Sequence, residues 1–460
     1  MHNLLIIIPI CGIFILNIFL KPFRTILAFW FAAALFISQI VVSLFYASSF
    51  SLDALSSIVL LCIGIVSLAS LLVTRHTVSD DTKRFRFVNL LITTAIGMSG
   101  VVMVRDIFSM YVFLEVTAIS SFILIAFDKN IEALEGSFKY MMLSAIATVL
   151  MLSAIALFLL GSVDMSFDAI QKSLFQSNNV LTTLAVTLFM CGLFIKGGLV
   201  PFHGWLPDAY MTAPASASVL LAGIVTKVSG IYTLIRVTTA IFGFNDIVKN
   251  ILLAVGAISI LVGAFAALGQ TDFKRMLAYS SISQMGYIII GLGTGSALGI
   301  AGAVFHLFNH AIFKSLLFVN SAAVEKGTGT SDMQRMGGIS SKMPVTSFTS
   351  VVGILSVCGV PPLSGFWSKI IIIIALWQVG QYSYAVIAIL ASALTLAYLL
   401  SMQRRVFFGK LKDGLGDLKE AGLGFTIASS ILAIITIGVG VFSPYILNNL
   451  ILPIKEIFIK

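Results

Sequence analysis

The feature that most constrains this chain is a succession of apolar runs, most of about 17–25 residues, joined by short polar connections. Runs of that length cross a bilayer as helices, because a helix satisfies its own backbone polar groups in hydrocarbon. Only 10% of the 460 residues are charged, against about 25% in soluble domains. So few charges cannot coat a soluble protein of this length. The expected class is an all-α polytopic membrane protein without strands.

Counting runs predicts about fourteen transmembrane helices, near 3–20, 24–46, 54–74, 87–104, 107–127, 137–161, 180–202, 215–237, 249–269, 277–293, 297–322, 346–379, 383–403 and 424–444. The first run has no basic leader region and reads as a retained helix, not a signal peptide. The segment 164–179 reads as a polar outside loop. The four cysteines, Cys11, Cys62, Cys191 and Cys358, lie in apolar runs without CxxC pairing and read as packing residues. No haem, iron–sulfur, zinc or nucleotide-binding pattern is visible, so no cofactor bound by this chain is expected.

Charge orients the spans. Eighteen lysines and arginines fall in the odd-numbered connections, and six, including Arg105, Arg236, Lys455 and Lys460, in the even connections and termini. Cytoplasmic loops carry such an excess, so both termini are expected outside. The net charge of +9 then has a membrane explanation, and no nucleic-acid partner is implied.

Four lysines remain, Lys196, Lys227, Lys314 and Lys369, all inside apolar spans. Glu115 is the one acidic residue deep in a span, about 14 Å beyond Asp106 at helical rise. A charge at a helix centre costs about 2.5–3.5 kcal/mol on insertion scales. Snorkelling and structural ion pairing are the plain explanations, strongest for Lys314 near the cytoplasmic end. A proton path is the functional one, since desolvation and a movable carboxylate tune an ammonium's hold on its proton. Contact between Glu115 and Lys196 is an expectation here. His306, His310 and Lys314 follow at i, i+4 and i+8 on one helical face, and histidine exchanges protons near neutral pH. Two histidines at that spacing also suit zinc, but no third ligand stands beside them, so no metal is expected.

Two lysines accompany helix breakers. The seventh span runs Lys196-Gly197-Gly198-Leu199-Val200-Pro201-Phe202-His203, and the twelfth runs Gly359-Val360-Pro361-Pro362-Leu363-Ser364-Gly365-Phe366-Trp367-Ser368-Lys369. Proline removes a helical donor and glycine relaxes the backbone, so both are expected to be broken helices. Lysine precedes one break and follows the other. Inverted five-helix repeats, spans 4–8 and 9–13, account for the reversal, and paired interrupted helices mark transport sites. Packing kinks are the alternative. The organisation expected is 1–86 (three helices), 87–237 (first repeat), 249–403 (second repeat) and 404–460 (a cytoplasmic segment and the last helix).

KGGLVPFHGWLPDAYMTAP at 196–214, FLEVTAIS around Glu115, DFKRMLAYSSISQMGY at 272–287, HLFNHAIFKSLLF from His306 and GVPPLSGFWSK ending at Lys369 together resemble the antiporter-like membrane subunits of respiratory complex I, Mrp-type Na+/H+ antiporters and energy-converting membrane hydrogenases. The resemblance covers most of 100–370. It implies an ion pair of Glu115 with Lys196, a central Lys227, a bridge of His306 and His310, and a terminal Lys369, with Lys314 and His203 secondary. The HxxxH face is most similar to the Mrp or hydrogenase branches. It implies a proton-translocating subunit of a redox-driven or antiport complex in the cytoplasmic membrane. Expected partners are other membrane subunits, including homologous ones, the lipid bilayer, and H+ or Na+. No electron transfer by this chain is expected. An autonomous Na+/H+ antiporter or solute carrier and a non-conducting scaffold are the rival readings.

Overall fold

The computed structural model describes residues 4–18, 21–50, 52–176 and 180–453. Among these the chain is helical throughout, apart from turns and two isolated bridges. Among the described residues, ten helices are long and apolar enough to cross a membrane: Arg24–Phe45, Ala54–Thr77, Asp81–Met103, Ile107–Asp128, Ile131–Gly161, Ala215–Phe242, Asp246–Leu268, Ala297–Thr328, Tyr382–Val406 and Leu423–Val441. Four shorter apolar helices are Leu4–Ile18, Val180–Lys196, Pro344–Cys358 and Ser364–Gln378. Phe273–Gly293 is long enough but polar for a span, and buries Ser280, Ser281, Ser283 and Gln284.

Side-chain caps set where helices begin. Asp53, Asp80, Asp106, Asn130, Asn245 and Asp272 each accept a backbone N–H from the first turn of the helix that follows, which satisfies one of its four orphan donors. The caps lie upstream of the apolar runs, so Asp81–Met103, Ile131–Gly161 and Phe273–Gly293 start four to six residues before hydropathy alone places them. The expected outside loop at 164–179 is corrected: Phe167–Gln176 is a helix that buries Phe167 and Ile170. Residues 3, 19 and 20 of the first expected span, and Lys455 and Lys460, lie outside the described residues.

Both expected breaks are present, and they share one local geometry. Gly198 at φ +63° and Gly359 at φ +81° take the left-handed conformation that glycine tolerates. Leu199 N–H bonds to Phe194 O, and Val360 N–H bonds to Leu355 O. Beyond the breaks the chain re-enters helix at Trp205–Thr212 and Ser364–Gln378. The same recurrence appears at the helix starts. Asp106 pairs with Ser166, and Asp272 with Asp332, as antiparallel bridges of equal sequence separation.

Two helices form the enclosed centre, Ala215–Phe242 and Ala297–Thr328. The first is wound wide, with π turns at Leu221–Val225, Lys227–Tyr232 and Thr238–Phe242. It touches the Lys196 helix backbone to backbone: a Cβ on Gly230 would stand 2.2 Å from Gly197 Cα. Gly230→Val therefore drives two backbones apart, at about 1–3 kcal/mol or more for overpacking. The expected result is a lower thermal midpoint and a lower yield of folded protein in detergent, read by size-exclusion profile and thermal scan.

Candidate functional site

The site is a set of buried charges and rings carried by five helices. Glu115, on Ile107–Ile125, accepts two hydrogen bonds on Oε1, from Lys196 Nζ at 2.9 Å and Thr148 Oγ1 at 2.9 Å. Lys196 also donates to Ser144 Oγ at 3.3 Å. The lysine side chain is 1% exposed and the glutamate 23%, so the pair is dry on one side and reachable on the other. The expected contact between the two residues is present.

The break after Lys196 exposes carbonyls that the interrupted helix no longer uses. Trp205 Nε1, from beyond the break, donates to Ile195 O at 3.1 Å. The other break is closed the same way: Lys369 Nζ reaches back to Val357 O at 2.8 Å. The reversed lysine thus serves its own break, while Lys196 is free to face Glu115. Lys369 also lies 4.5 Å from the Tyr287 ring centroid, within cation–π range.

Lys227 is fully buried. Wide winding leaves the Ala222 carbonyl within reach, and the Lys227 ammonium donates to it. Lys314 donates to Leu277 O at 3.0 Å and Ser280 Oγ at 2.7 Å, and Tyr398 donates to the same Ser280 oxygen at 3.0 Å. The face of His306, His310 and Lys314 read from spacing is real. The two imidazole rings lie parallel, 6.3 Å apart, tilted by 2°. His306 Nδ1 hydrogen-bonds Ser368 Oγ at 2.9 Å, one residue from Lys369. Both nitrogens of His310, and Nε2 of His306, are buried without a partner. His310 lies within electrostatic range of Lys227, Lys314 and Lys369. His203 sits in the break with its Nδ1 unpartnered, apart from the lysine contacts just described.

Three charge clusters escaped the sequence. Arg236, expected in an outside connection, is 2% exposed on the Lys227 helix. It grips Asp53 with bonds of 2.7 and 2.8 Å, and Arg105 binds the same carboxylate at 2.6 Å. Asp208 joins Lys139 at 2.7 Å and Arg275 at 3.4 Å. Lys274, expected in a loop, is buried against Glu325 at 2.5 Å. Each lies within a turn or two of a helix end, where sequence alone does not separate a loop charge from a buried one. Capping patterns and arginine near aspartate were the only signals available.

Comparison with known proteins follows the same lines. Residues 104–395 match the family described as NADH:quinone oxidoreductase/Mrp antiporter, transmembrane. The chain is 32% identical over 363 residues to a Na(+)/H(+) antiporter subunit of Alkalihalophilus pseudofirmus, covering 78% of this chain and 73% of that protein. It superposes on a chain of the Mrp complex from Dietzia sp. DQ12-45-1b with TM-score 0.90, at 21% identity and over 99% and 97% of the two chains. A chain of an archaeal membrane-bound sulfane sulfur reductase gives TM-score 0.90 at 25% identity, over 100% and 98%.

Proposed function

This chain belongs to the NADH:quinone oxidoreductase/Mrp antiporter transmembrane family, and from that premise we propose that it is the proton-translocating subunit of a multisubunit cation/proton antiport complex in the cytoplasmic membrane. The observation that carries the reading is the file of interior groups: partly exposed Glu115 with buried Lys196, then buried Lys227, Lys314, His310, His306 and Lys369. A structural role for so many interior charges would favour tight pairing. Lys227, Lys314 and Lys369 instead rest on neutral carbonyls and hydroxyls, from which a proton can depart without stranding a carboxylate.

In this mechanism protons enter from the cytoplasm near Lys227 or Lys314, pass the two stacked imidazoles, and leave near Lys369. Glu115 reports the charge state of a neighbouring subunit to Lys196, being the more exposed partner of that pair. Moving one proton against about 150 mV needs about 3.5 kcal/mol. We further propose fourteen crossings with both termini outside, and two inverted repeats. The recurrence of the glycine breaks and of the capped bridges supports the repeats.

Lys227→Ala tests the function. In inverted membrane vesicles bearing the assembled complex, cation-driven collapse of a pH gradient is expected to fall at least tenfold, about 1.4 kcal/mol, while the subunits still copurify. Unchanged exchange with normal assembly would reduce the chain to a scaffold. Exchange by the isolated chain in liposomes would instead make it an autonomous carrier.

A further inference from the structure

Gln284 lies within the motif at 272–287 but has no part in the relay described above. It is fully buried on Phe273–Gly293, and neither its Oε1 nor its Nε2 has a hydrogen-bond partner. A leucine or methionine would fill the same space without that penalty, since each unmet buried polar group costs about 1–3 kcal/mol. A buried amide with both ends unpaired points to something polar beside it that is not protein.

Its position follows from the contacts on either side. Leu277 and Ser280 receive the Lys314 ammonium. Tyr287 lies against His306, ring centroids 5.8 Å apart. Residues 277, 280, 284 and 287 share one helical face, and 306, 310 and 314 share one face of the antiparallel neighbour. With Ser280 level with Lys314, and Tyr287 level with His306, Gln284 falls opposite His310. His310 is also fully buried and has both ring nitrogens unpaired. Four polar atoms therefore face one another's level of the structure unmet. A direct amide–imidazole bond would satisfy two of them at most. A buried water makes about three hydrogen bonds, so one or two waters satisfy what the side chains cannot.

Resting on the proton-translocating reading above, we infer that Gln284 is a positioning residue of the relay: its amide holds ordered water against the His310 ring and bridges the Lys314 end of the path to the His306–Lys369 end. The amide keeps its own protons throughout. The held water accepts a proton from one neighbour as it releases one to the next, so the station returns unchanged after each passage. An amide suits this task because it offers a donor and an acceptor together without adding a charge to a centre already carrying three lysines.

X-ray radiolytic footprinting of the detergent-purified complex reads the water directly, because side chains beside ordered water are oxidised by radicals formed from it. Oxidation of His310 is expected in the wild type and should fall several-fold in Gln284→Leu. In vesicles, Gln284→Leu should cut exchange at least tenfold with assembly intact, whereas Gln284→Asn, a shorter amide whose water can shift to meet it, should retain at least a third. An unoxidised His310 in the wild type, unchanged oxidation in Gln284→Leu, or full exchange by that variant would each overturn the inference. If the leucine variant fails to assemble, the wild-type footprint and Gln284→Asn decide alone: an oxidised His310 with retained exchange supports the station, and loss of either overturns it. Lys227→Ala measured in parallel keeps the two readings apart. Its failure to block exchange overturns the proposed function, while the footprint still reports whether water bridges Gln284 and His310.

Discussion

Arg236→Leu lowers the stability of the solubilised chain by about 3–5 kcal/mol, the usual result of removing one partner from a buried ion pair. Arg236 is the fully enclosed member of the cluster, and its guanidinium holds both oxygens of Asp53 in a planar fork. Tyr232 accepts from its Nε and Ser56 from its Nη2. Without it, Asp53 keeps Arg105 and the Ser56 N–H. Asp53 caps Ala54–Thr77 from outside the span, so the loss also loosens that helix end. Burial by itself would raise the Asp53 carboxyl, but Arg236 and then Arg105 hold it well below the usual carboxylate range. A carboxyl lowered on folding contributes stability above its unfolded value, near 3.9, and loses it as pH falls through the lower folded value. The gap between wild type and Arg236→Leu is therefore constant from about pH 5 upward and narrows only in strong acid. Thermal unfolding followed by a thiol-reactive dye suits the measurement in a background with Cys11 and Cys191 replaced by serine, because Cys62 and Cys358 are buried until the chain opens. Equal midpoints at pH 7 would show that the clamp holds nothing.

Glu115→Gln is the second large effect. It strips the Lys196 ammonium of the one carboxylate bonded to it, leaving Ser144 as a neutral partner. Exchange in vesicles is expected to fall at least tenfold. Stability falls too, by less than the Arg236 case, because Glu115 is partly accessible and glutamine still accepts from Thr148. The double variant Glu115→Gln/Lys196→Met separates the two consequences. With both charges gone, stability returns toward wild type, since replacing a whole buried pair by uncharged groups is often neutral, and exchange stays low. A double variant that exchanges ions normally would make the pair a structural ornament of the fold.

Much of this molecule is legible in one dimension, and the reason differs from element to element. Gly198 and Gly359 announce their breaks because only the local backbone is at stake. His306, His310 and Lys314 share a face because a straight helix makes spacing into geometry. Lys196 reaching Glu115 could be anticipated only as a hypothesis, since the two lie 81 residues apart in sequence. The wide winding around Lys227 could not be anticipated, because a π turn shifts the register by one residue and leaves no compositional trace. Arg236 and Lys274 misled for a third reason. Hydropathy ends a span where charge begins, whereas the folded helix runs on past its first buried arginine until another segment supplies the counter-charge. Gln284 drew no notice within its motif because an amide among serines is ordinary until its neighbours are known.

The meeting of Gly197 with Gly230 has a mechanical consequence. Two rods in contact through side chains can slide, as rotamers rearrange to let them pass. Two rods in contact through bare backbone have no such lubricant, and the peptide planes interlock like gear teeth. Lys196 stands one residue before the first tooth and Lys227 three residues before the second. In the proposed relay, a shift of the Lys196 helix would therefore press on the Lys227 helix through backbone, with the Ile231 side chain beside the contact.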